Sequence, residues 1–160
     1  MSDAAYAQRL PVIATIIVAL MLTIIPLPDW LEPFRPDWVA LTLIYWAMIL
    51  PRTWSVGSAW IVGLILDVAQ GTLLGQHGLA LCVVIFVTVR MHLLMRVFPA
   101  GQLMASVFSL LALYQFIVFW VNGVAGVPVE AIQYWAPVIS GTLIWPVVKS
   151  ILDGARMRVK

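Results

Sequence analysis

Two side chains of this sequence are suited to acid–base or ligand chemistry, the carboxyl of Asp67 and the imidazole of His77. A third reactive group, the thiol of Cys82, belongs to the single cysteine of the chain, so no intrachain disulfide is possible. No further histidine, cysteine or carboxylate falls at metal-ligand spacing, and no neighbouring positions assemble a Ser, His and Asp set. No single segment holds a paired general acid and base. The sequence therefore predicts no metal, no cofactor and no enzyme.

Asp67 belongs to a stripe of small residues that recur every four positions, Ala59, Gly63, Asp67 and Gly71. On a helix these residues share one narrow face, where small side chains let a neighbouring backbone approach closely. We expect this face to pack inside the protein, and a partner helix is the alternative. The carboxylate is expected to accept helix-end hydrogen bonds near the outer interface. A polar pocket, a partner contact and proton or ion handling are the other interpretations.

The segment from Gly71 to Gly78 predicts a turn that ends one helix and begins the next, with glycines that supply positive φ. His77 lies in this segment, and a histidine can respond to pH. A solvated loop histidine is the expectation here.

The composition indicates what kind of structure positions these residues. Of the 160 residues, 63% are apolar and 10% are charged, and the mean hydropathy is +1.03. Soluble domains carry about 25% charged residues, so most of this surface must face lipid. Few ionisable groups fall at membrane depth, which argues against an ion-coupled carrier. A net charge of +2 spread over the chain cannot form a face for nucleic acid.

Charged residues and prolines divide the chain into six candidate spans, at 10–26, 37–50, 55–69, 78–97, 103–122 and 131–149. Eight of the nine basic residues fall on one side, so the positive-inside rule places both termini in the cytoplasm. The second span is short for a full crossing. It and the third span form either a tilted hairpin or a loop that re-enters from outside. The sequence predicts a single all-α polytopic membrane domain.

Two basic segments fall on the cytoplasmic side of this arrangement. One contains Arg90 and Arg96, and the other is the C-terminal tail with Arg156, Arg158 and Lys160. Attraction to anionic membrane lipid is the simpler interpretation of both segments. Docking of a cytoplasmic protein is the alternative.

The segment from Pro36 to Gly78 also resembles a known family. Its signature and helix-packing residues are Trp38, Tyr45, Trp46, Gly57, Gly63, Asp67, Gly71 and Gly75. This pattern, with the length, the six spans and the basic tail, is similar to the bacterial rod shape-determining protein MreD family. The later spans match only in hydropathy. No catalytic residue is carried over by the resemblance.

The resemblance implies a non-enzymatic scaffold in the bacterial inner membrane that helps organise lateral peptidoglycan synthesis. It implies direct binding to MreC, through the stripe and the outer loop Asp29–Asp37, within a complex that includes MreB, RodA and a class B penicillin-binding transpeptidase. Arg90, Arg96 and the tail would face cytoplasmic partners. The implied fold is that of the substrate-binding components of energy-coupling-factor transporters. The alternative function is therefore a small-molecule-binding subunit of a vitamin-type uptake system, with a pocket near Asp67.

Overall fold

A computed structural model describes residues 2–158, with the side chains of Ser2, Ala4 and Ala5 left out. The described residues form six α-helices and one 3-10 turn, Glu32–Phe34, and contain no strand. The helices are α1 (Ser2–Ile24), α2 (Trp38–Ile49), α3 (Val56–Gln70), α4 (Gln76–Val97), α5 (Ala100–Val124) and α6 (Ala131–Met157).

Among the described helices, α1, α4, α5 and α6 are long and apolar enough to cross a membrane. Helix α3 is shorter, and α2 has 12 residues, about 18 Å at 1.5 Å per residue. The number of six crossings therefore stays a prediction. Helix α1 begins before the predicted position 10, and α6 continues to Met157 rather than ending at 149.

The short helix α2 forms the centre of the protein. Every residue from Val39 to Met48 is buried, and α1, α4 and α6 pack around it. A helix that is apolar on all sides and enclosed by protein presents no face to lipid. Its short length therefore creates no mismatch with a bilayer. This burial explains how so short a helix is accommodated, which the sequence left open between a tilted hairpin and a re-entrant loop.

Two side-chain hydrogen bonds join α2 to α1 and to α6. The indole Nε1 of Trp46 donates to Thr15 Oγ1 of α1 at 2.9 Å, and the hydroxyl of Tyr45 donates to Asp153 of α6. We call the end of the bundle that holds this second pair the Asp153 end. The opposite end, where α3 ends and α4 begins, is the Asp67 end.

Helix α2 begins well inside the bundle. The carboxylate of Asp37, the residue before its first turn, accepts a hydrogen bond from Gln115 Nε2 of α5 at 2.6 Å. Gln115 lies nine residues before Val124, the end of α5, which is about 14 Å along the helix axis. The space beyond the start of α2 is therefore not filled by a further helical turn.

Arg35 fastens the connection between α1 and α2. Its guanidinium donates to the carbonyl oxygens of Thr23 and, at 2.5 Å, Ile25, and it forms an ion pair with Glu32 at 2.9 Å. The carbonyl groups at a helix C-terminus lack partners within the helix. Arg35 satisfies two of these acceptors, so its charge serves to hold the connecting loop against α1.

Candidate functional site

The close crossing of α3 and α4 depends on Gly63. A β-carbon added to Gly63 would lie 2.3 Å from the Cα of Gly78, far inside contact distance. Ala59 and Asp67, which lie one turn to either side on α3, are fully buried. This part of the small-residue stripe therefore packs inside the protein, and α4 occupies the place that a partner helix would take.

Asp67 joins the end of α3 to the start of α4. Its buried carboxylate accepts from Gly75 N (2.8 Å), Thr72 Oγ1 (3.0 Å), His77 N (3.0 Å) and His77 Nδ1 (2.7 Å). Two of these donors are backbone N–H groups at the beginning of α4, where the helix lacks internal acceptors and its dipole favours negative charge. Gly71 and Gly75 adopt φ values of 66° and 95° in the turn between the helices.

His77 is not the solvated loop residue that the sequence suggested. It lies in the first turn of α4, its side chain is 12% exposed, and its ring centroid is 6.0 Å from that of Tyr114. A carboxylate can only accept, so the hydrogen between His77 and Asp67 belongs to Nδ1 of the imidazole. The second ring nitrogen, Nε2, has no protein partner among the described residues. The Asp67 contact therefore fixes the orientation of the ring and leaves Nε2 available.

A polar cavity of about 700 Å³ opens at the Asp67 end. It is open on one side and is lined by the 3-10 turn, the α3–α4 turn, the C-terminal half of α5, the loop after α5 and the first turn of α6. Its lining is rich in amide and hydroxyl side chains, namely Gln70, Thr72, Gln76, Gln115, Asn122, Gln133 and Tyr134. The volume falls in the range of ligand-binding pockets.

Several groups that line this cavity have hydrogen-bonding capacity to spare. Gln76 is 4% exposed, and its amide has no partner among the described residues. The amide of Gln115 donates to Asp37 and that of Asn122 donates to the Tyr134 hydroxyl, so both amide oxygens and the tyrosine hydrogen remain unpaired. Buried polar groups normally find a partner. These groups can therefore receive a ligand or water.

The Asp153 end contains a different cluster of polar side chains. Asp153 accepts from Tyr45, and its second oxygen lies 3.3 Å from the Lys149 Nζ. Near it at the end of α6, Arg156 is half-buried and Arg158 is exposed. These charged groups remain in reach of lipid headgroups or a partner. The predicted contact residue Lys160 lies outside the described residues.

Arg96 has a structural role that the sequence did not suggest. Its Nε and Nη2 donate to the carbonyl oxygens of Met48 (2.8 Å) and Ile49 (2.5 Å), so it satisfies acceptors at the end of α2. Arg90, in contrast, is exposed and lies over the ring of Phe86 of its own helix, 5.3 Å from the ring centroid. The two arginines that were grouped as one basic surface therefore differ in their contacts.

The signature residues do not converge on one site. Tyr45 and Trp46 are core residues of α2 in edge-to-face contact, with ring centroids 5.1 Å apart. Trp38 is half-buried at the start of that helix. Gly57 has open space around it, in contrast to Gly63 in the same helix. The pattern thus marks the packing of α2 and α3 more than a binding site.

The sequence does not reveal most of the cavity residues, because they come from segments far apart in the chain. In the sequence, Gln115 and Asn122 are isolated polar residues in an apolar span. The spacing on α5 does indicate a shared face. Val118 and Asn122 lie three and seven positions after Gln115, so the three residues fall on one side of the helix. A polar face on an otherwise apolar helix indicates a cavity or a polar neighbour.

The fold and the cavity together define a class, a helical membrane protein whose apolar helices enclose a polar recess at one end. The sequence pattern of the rod shape-determining protein MreD family matches residues 6–153. The chain belongs to this family. A curated relative, the rod shape-determining protein MreD of Haemophilus influenzae, is 24% identical over 156 residues, which cover 96% of this chain and 94% of the relative.

No solved structure matches the chain. The expected likeness to the substrate-binding components of energy-coupling-factor transporters therefore stays a prediction. The family assignment supports a role in rod shape determination, and the four long apolar helices support a membrane location.

Proposed function

We propose that this chain is a non-enzymatic scaffold of the cell-elongation machinery in the bacterial inner membrane. The proposal rests on membership of the MreD family, because the proteins of that family are described as rod shape-determining. In this proposal the chain binds MreC directly, and MreB, RodA and a class B penicillin-binding transpeptidase belong to the same complex. The scaffold then helps to organise lateral peptidoglycan synthesis.

The proposed topology has six crossings with both termini in the cytoplasm. Among the described residues, the basic side chains toward the Asp153 end are Arg9, Arg52, Arg90, Arg96, Lys149, Arg156 and Arg158. The basic residue at the Asp67 end, Arg35, is bound to carbonyl groups of α1 and to Glu32. This asymmetry supports a cytoplasmic Asp153 end, by the positive-inside rule. The cavity then opens on the outer face.

The surface proposed for MreC is an apolar groove between Phe34 and α6. Its volume is about 560 Å³, and it is lined by Phe34, Ala131, Ile132, Trp135, Ala136, Ile139, Ser140 and Leu143. Alanine and serine side chains allow the close approach of a membrane helix. Phe34 and the nearby Trp30 are 58% and 72% exposed, in the loop that the resemblance assigned to MreC. The resemblance also assigned the stripe of small residues to MreC, but α4 packs against this stripe at Gly63.

Site-specific photocrosslinking in native membranes tests this surface. A photoreactive amino acid in place of Phe34 or Ile139 should crosslink to MreC, because both side chains line the groove. The matched control is the same replacement at Ile61, which is 60% exposed on α3 away from the groove. Crosslinks to MreC from position 61, with none from 34 or 139, would remove the groove from the proposal.

A small-molecule uptake subunit is the second candidate, and the polar cavity is the observation that favours it. Purification of the tagged protein from native membranes in mild detergent, followed by crosslinking and mass spectrometry, separates the two functions. The scaffold proposal expects MreC and cell-wall synthases. Recovery of an ATP-binding transport module without any cell-wall protein would establish the uptake function instead.

A further inference from the structure

We propose that the cavity at the Asp67 end is a binding site for a neutral saccharide. This inference does not depend on the scaffold proposal, because binding is a property of the isolated chain. It rests on three features of the cavity: its size, the hydrogen-bonding character of its unpaired groups, and the sign of the charges around it.

The unpaired groups match the chemistry of hydroxyl-rich ligands. A sugar hydroxyl both donates and accepts a hydrogen bond, and so does a primary carboxamide or a phenol. The amide of Gln76 is free at both ends and is almost fully buried at the cavity wall. The amide oxygens of Gln115 and Asn122, with the hydrogen of Tyr134, add two acceptors and one donor. The hydroxyl groups of a saccharide supply both the donors and the acceptors that these groups lack.

The charges around the cavity favour a neutral ligand over an anionic one. Among the described residues, the lining contains the carboxylate of Glu32 and no lysine or arginine. Arg35 lies beside Glu32, but its guanidinium is engaged with two backbone carbonyl groups as well. A second carboxylate, Asp67, lies directly behind His77. An anionic ligand would bring another negative charge without a free cation to pair with it, which is unfavourable in a partly buried site.

The size of the cavity suits a compact ligand. Five segments of the chain line the space, from the 3-10 turn to the first turn of α6. The volume of about 700 Å³ suffices for a disaccharide. One wall offers the ring of Tyr134, which is held edge-on to Phe119 with centroids 5.6 Å apart.

Calorimetry on the full-length protein in lipid nanodiscs tests the proposal. The probe is diacetylchitobiose, a neutral disaccharide with hydroxyl and acetamide groups, and the comparison ligand is lactobionate, an anionic disaccharide acid of similar size. We expect saturable binding of diacetylchitobiose and binding of lactobionate that is weaker by about tenfold or more. No saturable heat from folded protein, or equal affinity for the anion, would overturn the proposal. So would tighter binding of a blocked trialanine peptide.

Variants locate the binding site. Gln76→Leu should weaken diacetylchitobiose binding by about tenfold or more, since it removes a buried amide from the wall. The matched control is Gln102→Leu, which makes the same change on the exposed surface of α5 outside the cavity. Val127 is 42% exposed and lines the cavity, so Val127→Trp should fill the space without disturbing buried contacts. Unchanged affinity in Val127→Trp would refute this location, even if Gln76→Leu does not fold.

Discussion

The two ends of the bundle each hold a carboxylate in a network of hydrogen bonds, but they build these networks from different parts. At the Asp67 end the acid is fully buried, and two of its four donors are backbone N–H groups. At the Asp153 end the acid side chain is 27% exposed, and its partners are the side chains of Tyr45 and Lys149. Backbone donors are fixed by the fold, and Tyr45 is held in the core, whereas the partly exposed side chain of Lys149 can turn to solvent.

This difference has a consequence for function. A binding site needs a frame that stays in place when the ligand is absent, since ordering the site on binding lowers affinity. The Asp67 network holds the α3–α4 turn, and His77 at the start of α4, as a wall of the open cavity. The Asp153 network joins the buried Tyr45 of α2 to the partly exposed Asp153 and Lys149 of α6. We therefore expect ligand recognition at the first end and adaptable contacts with lipid or protein at the second.

The largest effect is expected for Gly63→Leu. The new side chain would collide with the backbone of Gly78, which cannot move without separating α3 from α4. The change should destabilise the protein by more than about 3 kcal/mol and abolish a monodisperse folded state. Gly57→Leu is the matched control, because the same substitution on the same helix meets nothing within 4 Å. Thermal unfolding in detergent and size-exclusion chromatography measure both, and a folded Gly63→Leu with an unchanged melting temperature would contradict the crossing.

A smaller effect is expected for Asp67→Asn, and it tests the comparison of the two ends directly. The asparagine amide keeps the shape of the carboxylate but loses its charge, and its NH₂ group faces N–H and O–H donors. We therefore expect the free energy of unfolding to fall by about 2–3 kcal/mol. Asp153→Asn should lower the stability by about 1 kcal/mol, because the amide oxygen can still accept from Tyr45 and the ion pair that is lost, with Lys149, is partly exposed. Chemical unfolding of the two variants gives the difference. Equal losses would show that the two networks are equivalent.

The sequence predicted the positions of the helices but not their environment. Uncharged runs bounded by prolines and charges mark a helix whether lipid or protein surrounds it, because lipid tails are as apolar as a protein core. The complete burial of α2 from Val39 to Met48 could therefore not be distinguished from a lipid-facing span. The turn glycines Gly71 and Gly75 were easier to place, since their positive φ is a local requirement.

The candidate site was less predictable than the fold, for a related reason. The small-residue stripe indicated a close contact through Gly63, and a carboxylate at a helix end indicated hydrogen bonds to Asp67. Neither pattern identifies the partner, which for Asp67 is the start of the next helix and His77. The free amide of Gln76 and the amide of Asn122 face one cavity only because α4 and α5 pack together. Such an arrangement depends on tertiary structure rather than on spacing.

The smallest effect is expected at the Asp153 end, where Arg96→Gln should cost about 1 kcal/mol through the loss of two hydrogen bonds to the end of α2. Arg90→Gln is the matched control, and we expect no change in its melting temperature, because Arg90 is exposed and lies over the exposed ring of Phe86. Since both substitutions remove one positive charge from the same helix, any effect on lipid or partner binding that depends on charge alone should be equal in the two. A difference confined to stability would assign Arg96 to the structure of α2. Equal melting temperatures, with partners lost in both variants, would instead show that the two arginines act together as a basic surface.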